Sequence, residues 1–256
     1  MSNKAIEEAF ASTTRLLFQA PLGPFSKYSI WAGLRVPGGR MAKSSLGVGE
    51  VYLPDYGFFK KIPQGRAASL EDMEKAAAMK IQEADAAGTF EEVVARLGSV
   101  AYFVPTYEEG RNMGLERTAA PLDCLNVSDA FDPFTTKNSA KLFSVMDCEA
   151  VFGMYRVLKT SFSIHCYNSE ALSRCFEMDF GKNCSDSLFC HNVENMAHCM
   201  FCFNAKNKRY AIGNLEVGQE KYMQIKKELV SKIVAELEKT GSLSYDIYSI
   251  LGGRKH

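Results

Sequence analysis

Hydrophobic and polar positions follow a twelve-residue rhythm between Lys137 and Lys208. In rows of twelve, the segment reads KNSAKLFSVMDC, EAVFGMYRVLKT, SFSIHCYNSEAL, SRCFEMDFGKNC, SDSLFCHNVENM and AHCMFCFNAKNK. The fourth column is apolar in every row: Ala140, Phe152, Ile164, Phe176, Leu188 and Met200. The sixth column is apolar too: Leu142, Met154, Cys166, Met178, Cys190 and Cys202. A short fixed period predicts a stacked solenoid with one row per coil.

Strand alternation predicts which columns face inward. Side chains alternate along a strand, so columns four, six and eight should point into the core and columns three, five and seven outward. The outward third column would be Ser139, Val151, Ser163, Cys175, Ser187 and Cys199. Two short strands and two corners fill twelve residues, which predicts a short, two-sided parallel β-solenoid with rungs about 4.8 Å apart.

Asparagine recurs where the chain must turn. The eighth column has Asn168, Asn192 and Asn204, and the eleventh has Asn183, Asn195 and Asn207. Asparagine tolerates the left-handed backbone region, and its amide can bond the same residue of the next rung. We therefore expect two asparagine corners with ladders of side-chain hydrogen bonds.

The flanking segments complete an α+β fold. We predict a helix over residues 3–19, a glycine-punctuated extended hairpin over 28–59, and two helices over 69–87 and 89–98. Ser69 with Asp72 and Thr89 with Glu92 resemble capping boxes. A long helix ending at Gly241 should cover the last rung, and the tail after it could pair as one more strand. The predicted domains are residues 1–120 (arm, hairpin and helices) and residues 121–256 (solenoid and capping helix).

The balance of basic and acidic residues limits which kinds of partner are expected. The chain has 30 basic and 30 acidic residues, which argues against a protein whose main task is binding nucleic acid or an acidic membrane. A local basic tip with Arg35, Arg40 and Lys43 could contact nucleic acid or an acidic neighbour. No apolar run is long enough to cross a bilayer, and the first residues lack a signal-peptide layout. We expect a cytoplasmic protein, or part of a particle assembled in the cytoplasm, such as a virion.

All eight cysteines lie between Cys124 and Cys202, and we interpret most of them as small buried hydrophobic residues. The alternative is a zinc site that draws on the CxxC motif and its neighbours: Cys190, His191, His198, Cys199 and Cys202. Strand alternation predicts that Cys199 and Cys202 point to opposite faces, which disfavours a shared metal. No cofactor is therefore expected, with zinc as the alternative.

Thiol chemistry is the other possibility. The pairs His165–Cys166, Cys190–His191 and His198–Cys199 are sequence neighbours and should face opposite ways, so none forms a nucleophile with its base. Cys190 and Cys202 should stack in adjacent rungs, as reduced thiols rather than a disulfide. No P-loop, GxGxxG, HExxH or GxSxG motif is present.

The segment CFEMDFGKNCSDSLFCHNVENMAHCMFCFNAKNKRYAIGNLEVG resembles a family of Asn/Cys-rich repeat proteins of archaea and uncultured bacterial lineages. The family shares runs such as CxxCxFCxN and a closing MFCFNxKNxRYAIGN. The likeness covers about residues 145–240. It implies the repeat architecture and no particular activity.

These observations together predict a non-enzymatic structural protein that self-associates into a homo-oligomer or a capsid- or shell-like particle. No catalytic residues are assigned. The alternatives are a zinc-binding interaction module, a nucleic-acid-binding module that uses the Cys/His segment 175–202, or a thiol-dependent enzyme.

Overall fold

The computed structural model describes residues 4–142, 148–150, 152–153, 160–166, 170–179 and 181–250. Three residues of the repeat columns, Val151, Met154 and Asn168, lie outside the described residues.

A parallel β-solenoid with twelve-residue coils forms the body of the protein, as the repeat predicted. Strand partners are twelve residues apart at every step, along the series Met113, Leu125, Lys137, Glu149, Ser161, Ser173, Ser185, Ala197 and Arg209. The stack therefore begins before the repeat that is visible in the sequence. Its described strands are β3 (Glu116–Ala119), β4 (Leu125–Phe131), β5 (Lys137–Ala140), β6 (Cys148–Glu149), β7 (Thr160–Ser161), β8 (Leu172–Ser173), β9 (Phe176–Met178), β10 (Gly181–Lys182), β11 (Leu188–Cys190), β12 (Val193–Glu194), β13 (Ala197–Met200), β14 (Arg209–Ile212) and β15 (Leu215–Glu216).

The coil bends at every third residue. Between 181 and 210 a left-handed backbone recurs at Asn183, Asp186, Phe189, Asn192, Asn195, His198, Phe201, Asn204, Asn207 and Tyr210. The asparagine columns are therefore bends, as predicted, and columns two and five add two more bends to each coil. The interior is lined by the position that follows each bend: Cys184, Ser187, Cys190, Val193, Met196, Cys199, Cys202 and Ala205.

The prediction that inward positions alternate with period two is wrong, because the bends impose a period of three. The described third-column residues, predicted to face outward, are fully buried, namely Ser139, Ser163, Cys175, Ser187 and Cys199. The eighth-column Asn192 and Asn204 are exposed rather than inward. The sixth column does lie inside, as predicted.

Column four forms a second core on the outside of the coils. Helices α1 (Lys4–Phe18), α2 (Phe25–Ala32) and α5 (Gln219–Thr240) pack there. Ring contacts join Phe10 to Phe152 at 5.1 Å and Phe18 to Phe176 at 5.2 Å. Column four is thus apolar because helices cover it, and not because it fills the coil.

The chain divides into two compact units, residues 1–36 with 110–256, and residues 37–109. The sequence-based division at residue 120 placed the N-terminal helix with the hairpin. The structure groups α1 and α2 with the solenoid, because their apolar faces bury the aromatic side chains of column four.

The unit of residues 37–109 starts with an antiparallel hairpin, β1 (Gly39–Lys43) and β2 (Glu50–Pro54). Helix α2 occupies the beginning of the stretch predicted to be extended. Two short helices follow the hairpin, α3 (Met73–Ala78) and α4 (Phe90–Arg96). The capping box of Thr89 and Glu92 is confirmed at α4.

The helix predicted over residues 69–87 is wrong beyond Ala78. The backbone is already extended at Met79, and the Ser69 hydroxyl bonds the Asp72 carboxylate at 3.1 Å instead of capping the backbone. No residue of this stretch after Ser69 is buried. Short helices need tertiary packing to persist in water, and residues 79–87 have no fully buried side chain to provide it.

Helix α5 ends at Gly241 in a left-handed conformation, as predicted. It lies along the flank of successive coils rather than over the open end. Tyr222 meets the rings of His198 and Tyr210, and its hydroxyl donates to the Asp186 carbonyl oxygen at 3.5 Å. No described helix is long and apolar enough to cross a membrane.

The end of the stack is closed by the β14–β15 turn. The side chain of Asn214 accepts from the Phe203 backbone N–H and donates to the Phe203 carbonyl oxygen, both at 2.9 Å. Residues 241–250 form no strand, so the predicted extra strand at the tail is wrong over those residues.

Candidate functional site

Three of the five candidate zinc ligands converge inside the coil. Cys190, Cys199 and Cys202 are fully buried and belong to one cluster in the interior of the coil. The prediction that Cys199 and Cys202 face opposite ways is wrong, because a period of three turns both inward. The predicted stacking of Cys190 on Cys202 is confirmed, and both thiols are free.

The two candidate histidines stay outside the coil. His191 Nδ1 lies 2.7 Å from an oxygen of Asp179, and the His198 ring stacks on Tyr210 with centroids 4.9 Å apart. Neither ring joins the three thiols. Among the described residues, no group of three or more cysteine, histidine or acidic side chains is arranged to hold a metal ion.

The interior thiols act as hydrogen-bond donors. Cys190, Cys199 and Cys202 each donate to the backbone carbonyl oxygen two residues earlier, at 3.4–3.5 Å. Serines of column three do the same, such as Ser187 to the Ser185 oxygen at 2.8 Å. Cysteine and serine therefore donate the same kind of hydrogen bond to the backbone in this wall.

Burial sets the acidity of three other thiols of the interior, Cys166, Cys175 and Cys184. Desolvation raises the pKa of Cys175 to about 12 and the pKa of Cys184 to about 11. Desolvation likewise holds the pKa of Cys166 well above its ordinary value. These three thiols are protonated at neutral pH, which is the opposite of what a nucleophile or a metal ligand needs.

A buried polar pair on the helix-covered face was not among the predicted site residues. His165 Nδ1 bonds an oxygen of Glu177, and His165 Nε2 lies 2.6 Å from the Trp31 carbonyl oxygen. The other Glu177 oxygen accepts from the Ile247 backbone N–H at 3.0 Å. The pair joins α2 and the C-terminal segment to the coils. Its signal in the sequence was the twelve-residue spacing of the two residues, which places them in adjacent rungs.

The basic residues predicted to act together do not share one environment. Arg35 belongs to the solenoid unit, where it bonds Asp246 at 2.6 Å and lies 4.0 Å above the Tyr248 ring. Arg40 and Lys43 are exposed on β1 of the other unit.

A second candidate surface lies in residues 70–109, where no side chain is buried. Large apolar side chains there are exposed to solvent, including Met73, Phe90, Val94, Phe103 and Tyr107. On α4 the apolar residues Phe90 and Val94 are four residues apart, and Leu97 follows directly after the helix, which is the spacing of a helix face that packs against another surface.

Comparison of the chain with family models, curated proteins and solved structures gave no match. The resemblance to Asn/Cys-rich repeat proteins therefore stays a sequence-based expectation.

Proposed function

We propose that this protein is a non-enzymatic structural subunit that self-associates through residues 70–109. The observation that carries the proposal is the exposed apolar surface of that segment. Phe90 is 78% exposed and Phe103 is 46% exposed. Ordering a residue costs about 1–2 kcal/mol of backbone entropy, and here no fully buried side chain offsets that cost. Burial of these apolar side chains against another molecule would offset the entropy cost.

A second copy of this chain is the favoured partner. The formal net charge is zero, so copies do not repel one another, and proteins near zero net charge associate readily. Two copies of one amphipathic helix can bury their apolar faces symmetrically. The solenoid supplies a stiff body, and a shell-like particle, as built by capsid subunits, is the larger assembly proposed.

Measuring molar mass in solution by light scattering tests the proposal. We expect wild-type protein to exceed the single-chain mass at micromolar concentration, and the double variant Phe90→Ser/Val94→Ser to return to it. Ile30→Ser is the matched control, because Ile30 is 86% exposed on α2 of the other unit. A wild-type protein that stays monomeric, or a double variant that assembles normally, contradicts the proposal.

A further inference from the structure

An apolar groove lies between the end of α1 and the middle of α5, and is called the α1–α5 groove below. It has a volume of about 620 Å³, and both helices belong to the solenoid unit. Its apolar wall is formed by Leu17, Phe18, Ala20, Met223, Val230 and Val234. Met223 is 44% exposed, so part of this apolar surface is open to solvent.

Two lysines make the groove basic. Lys226 and Lys227 line it, and no acid is present among the described residues of its wall. Asp186 also attracts Lys226, but its two oxygens already accept from Nε and Nη2 of Arg174, both at 2.7 Å. Burial lowers the pKa of Lys226, because its ammonium has lost part of its solvation. An anion in the groove would stabilise that charge.

The exposed apolar segment of the other unit has the opposite charge. Residues 70–109 contain nine acidic and three basic residues, a formal net charge of −6, and the rest of the chain therefore carries +6. On α4, Glu91 and Glu92 are exposed beside the apolar residues Phe90 and Val94. The segment that exposes apolar side chains is thus also the acidic part of the chain.

Charge distinguishes the surfaces that could cover this segment in an assembly. A symmetric contact would place two segments of charge −6 against each other, and like charges across an interface cost free energy. The α1–α5 groove instead offers apolar surface together with positive charge. It is therefore the better complement to α4.

We propose that α4 of one copy docks in the α1–α5 groove of a second copy, an inference that rests on the proposed self-association. An amphipathic helix binds a groove through its apolar face, so Phe90 and Val94 lie against the apolar wall and Glu91 meets the lysines of the groove. The seven residues of α4 span about 10 Å. Each contact is therefore small and weak, and assembly increases with concentration.

This contact is asymmetric, because it joins two different surfaces. A pair of copies still has a free groove at one end and a free α4 at the other. Contacts of this kind build closed rings or open-ended assemblies. One type of contact thus extends to a larger particle.

Light scattering on two charge variants tests the docking. Lys226→Glu/Lys227→Glu should lose assembly and give the single-chain mass. Lys221→Glu/Lys239→Glu is the matched control, because it changes the charge equally at exposed residues of α5 outside the groove, and it should assemble as wild type does. Circular dichroism checks that the groove variant folds. If it does not, Lys226→Gln/Lys227→Gln replaces it and should weaken assembly in the same direction.

A mixing experiment identifies the two surfaces. An equal mixture of the groove variant with Phe90→Ser/Val94→Ser should give particles of two chains, because one variant keeps its α4 and the other keeps its groove. A groove variant that assembles normally, or a mixture that stays at the single-chain mass, overturns the docking inference alone. A wild-type protein that stays monomeric overturns the self-association proposal itself, so the two failures are distinct.

Discussion

At the scale of the residue, the interior wall of the coils is defined by small side chains that each carry one hydrogen-bond donor. The Cys175 and Ser187 side chains each donate to the carbonyl oxygen two residues earlier. The serine oxygens also accept from the next rung, as Ser163 does from the Cys175 backbone N–H at 3.2 Å. A column-three position therefore offers a hydroxyl both a donor and an acceptor partner.

The sixth column is less suited to a hydroxyl, and this difference gives a first prediction. Cys190→Ser and Cys202→Ser should lower the free energy of unfolding by roughly 1–3 kcal/mol, because each buries a polar group among thiols and apolar side chains. Cys175→Ser, in column three, is the matched control and should cost less. Urea denaturation measures all three, and equal costs would contradict the column assignment.

Buried thiols also make stability depend on pH. A thiol ionises near pH 9 in the unfolded chain, whereas desolvation raises the pKa of Cys175 to about 12 and that of Cys184 to about 11. Between these values the unfolded state has lost protons that the folded state keeps, so the free energy of unfolding should fall as pH rises. The variant Cys175→Ser/Cys184→Ser should show a shallower fall, and the same slope as wild type would contradict this.

At the scale of the element, the asparagine ladder joins one coil to the next. Asn195 is bonded on both sides, from the Asn183 amide at 3.4 Å and to the Asn207 oxygen at 3.1 Å, with a φ of 54°. Asn192 donates to Asn204 at 2.8 Å in the other bend column. The amides therefore supply both the bend and the bond between rungs.

Two substitutions at Asn195 separate these contributions. Asn195→Gly removes the ladder bonds but keeps the left-handed backbone accessible, and should cost about 1 kcal/mol. Asn195→Ala should cost about 1–2 kcal/mol more, because alanine is strained in that conformation. Thermal unfolding of the pair provides the measurement, and equal costs would show that backbone strain has no part.

Helix docking depends on a glycine at one bend. A Cβ at Gly153 would lie 1.8 Å from the Ala32 carbonyl oxygen at the end of α2, whereas a Cβ at Gly213 meets nothing within 4 Å. Both glycines have positive φ, 69° and 55°. Gly213→Ala should therefore cost only the backbone strain of about 1–2 kcal/mol. Gly153→Ala should cost distinctly more and loosen α2, measured as faster amide exchange at Tyr28 and Trp31.

At the scale of the whole molecule, the two units differ in how much they bury. The solenoid unit has two cores, one inside the coils and one beneath the helices. Residues 70–109 contain no fully buried side chain. Segments with few buried contacts open at low free energy, so this stretch should be the weakest part of an isolated chain.

Limited proteolysis tests that expectation. At low concentration, cleavage should begin within residues 70–109 and leave the coils intact. At concentrations where the chain assembles, the same bonds should become protected, because the apolar side chains are then covered. Cleavage that starts in the solenoid, or that is equally fast in the assembled state, would contradict this order of stability.

The sequence by itself determined the coil length, the asparagine bends, the inward sixth column, and the helices α1 and α5. Hydrogen bonding between stacked coils requires coils of equal length, so the length of one coil equals the repeat period of the sequence. Asn195, Thr89 and Gly241 likewise mark a bend, a helix start and a helix end through local chemistry.

Only the tertiary structure decided which columns face inward and what covers the rest. In a regular strand and in a coil that bends at every third residue, the same apolar positions point in different directions. Phe152 and Phe176 are apolar in either case, and only the packing of Phe10 and Phe18 on them shows that they face outward. The burial of Cys199 beside Cys202 follows from the bends at every third residue. The bonds that join His165 to Trp31 and Glu177 to Ile247 follow from the packing of α2 and the C-terminal segment on the coils, because contacts distant in sequence leave no local signal.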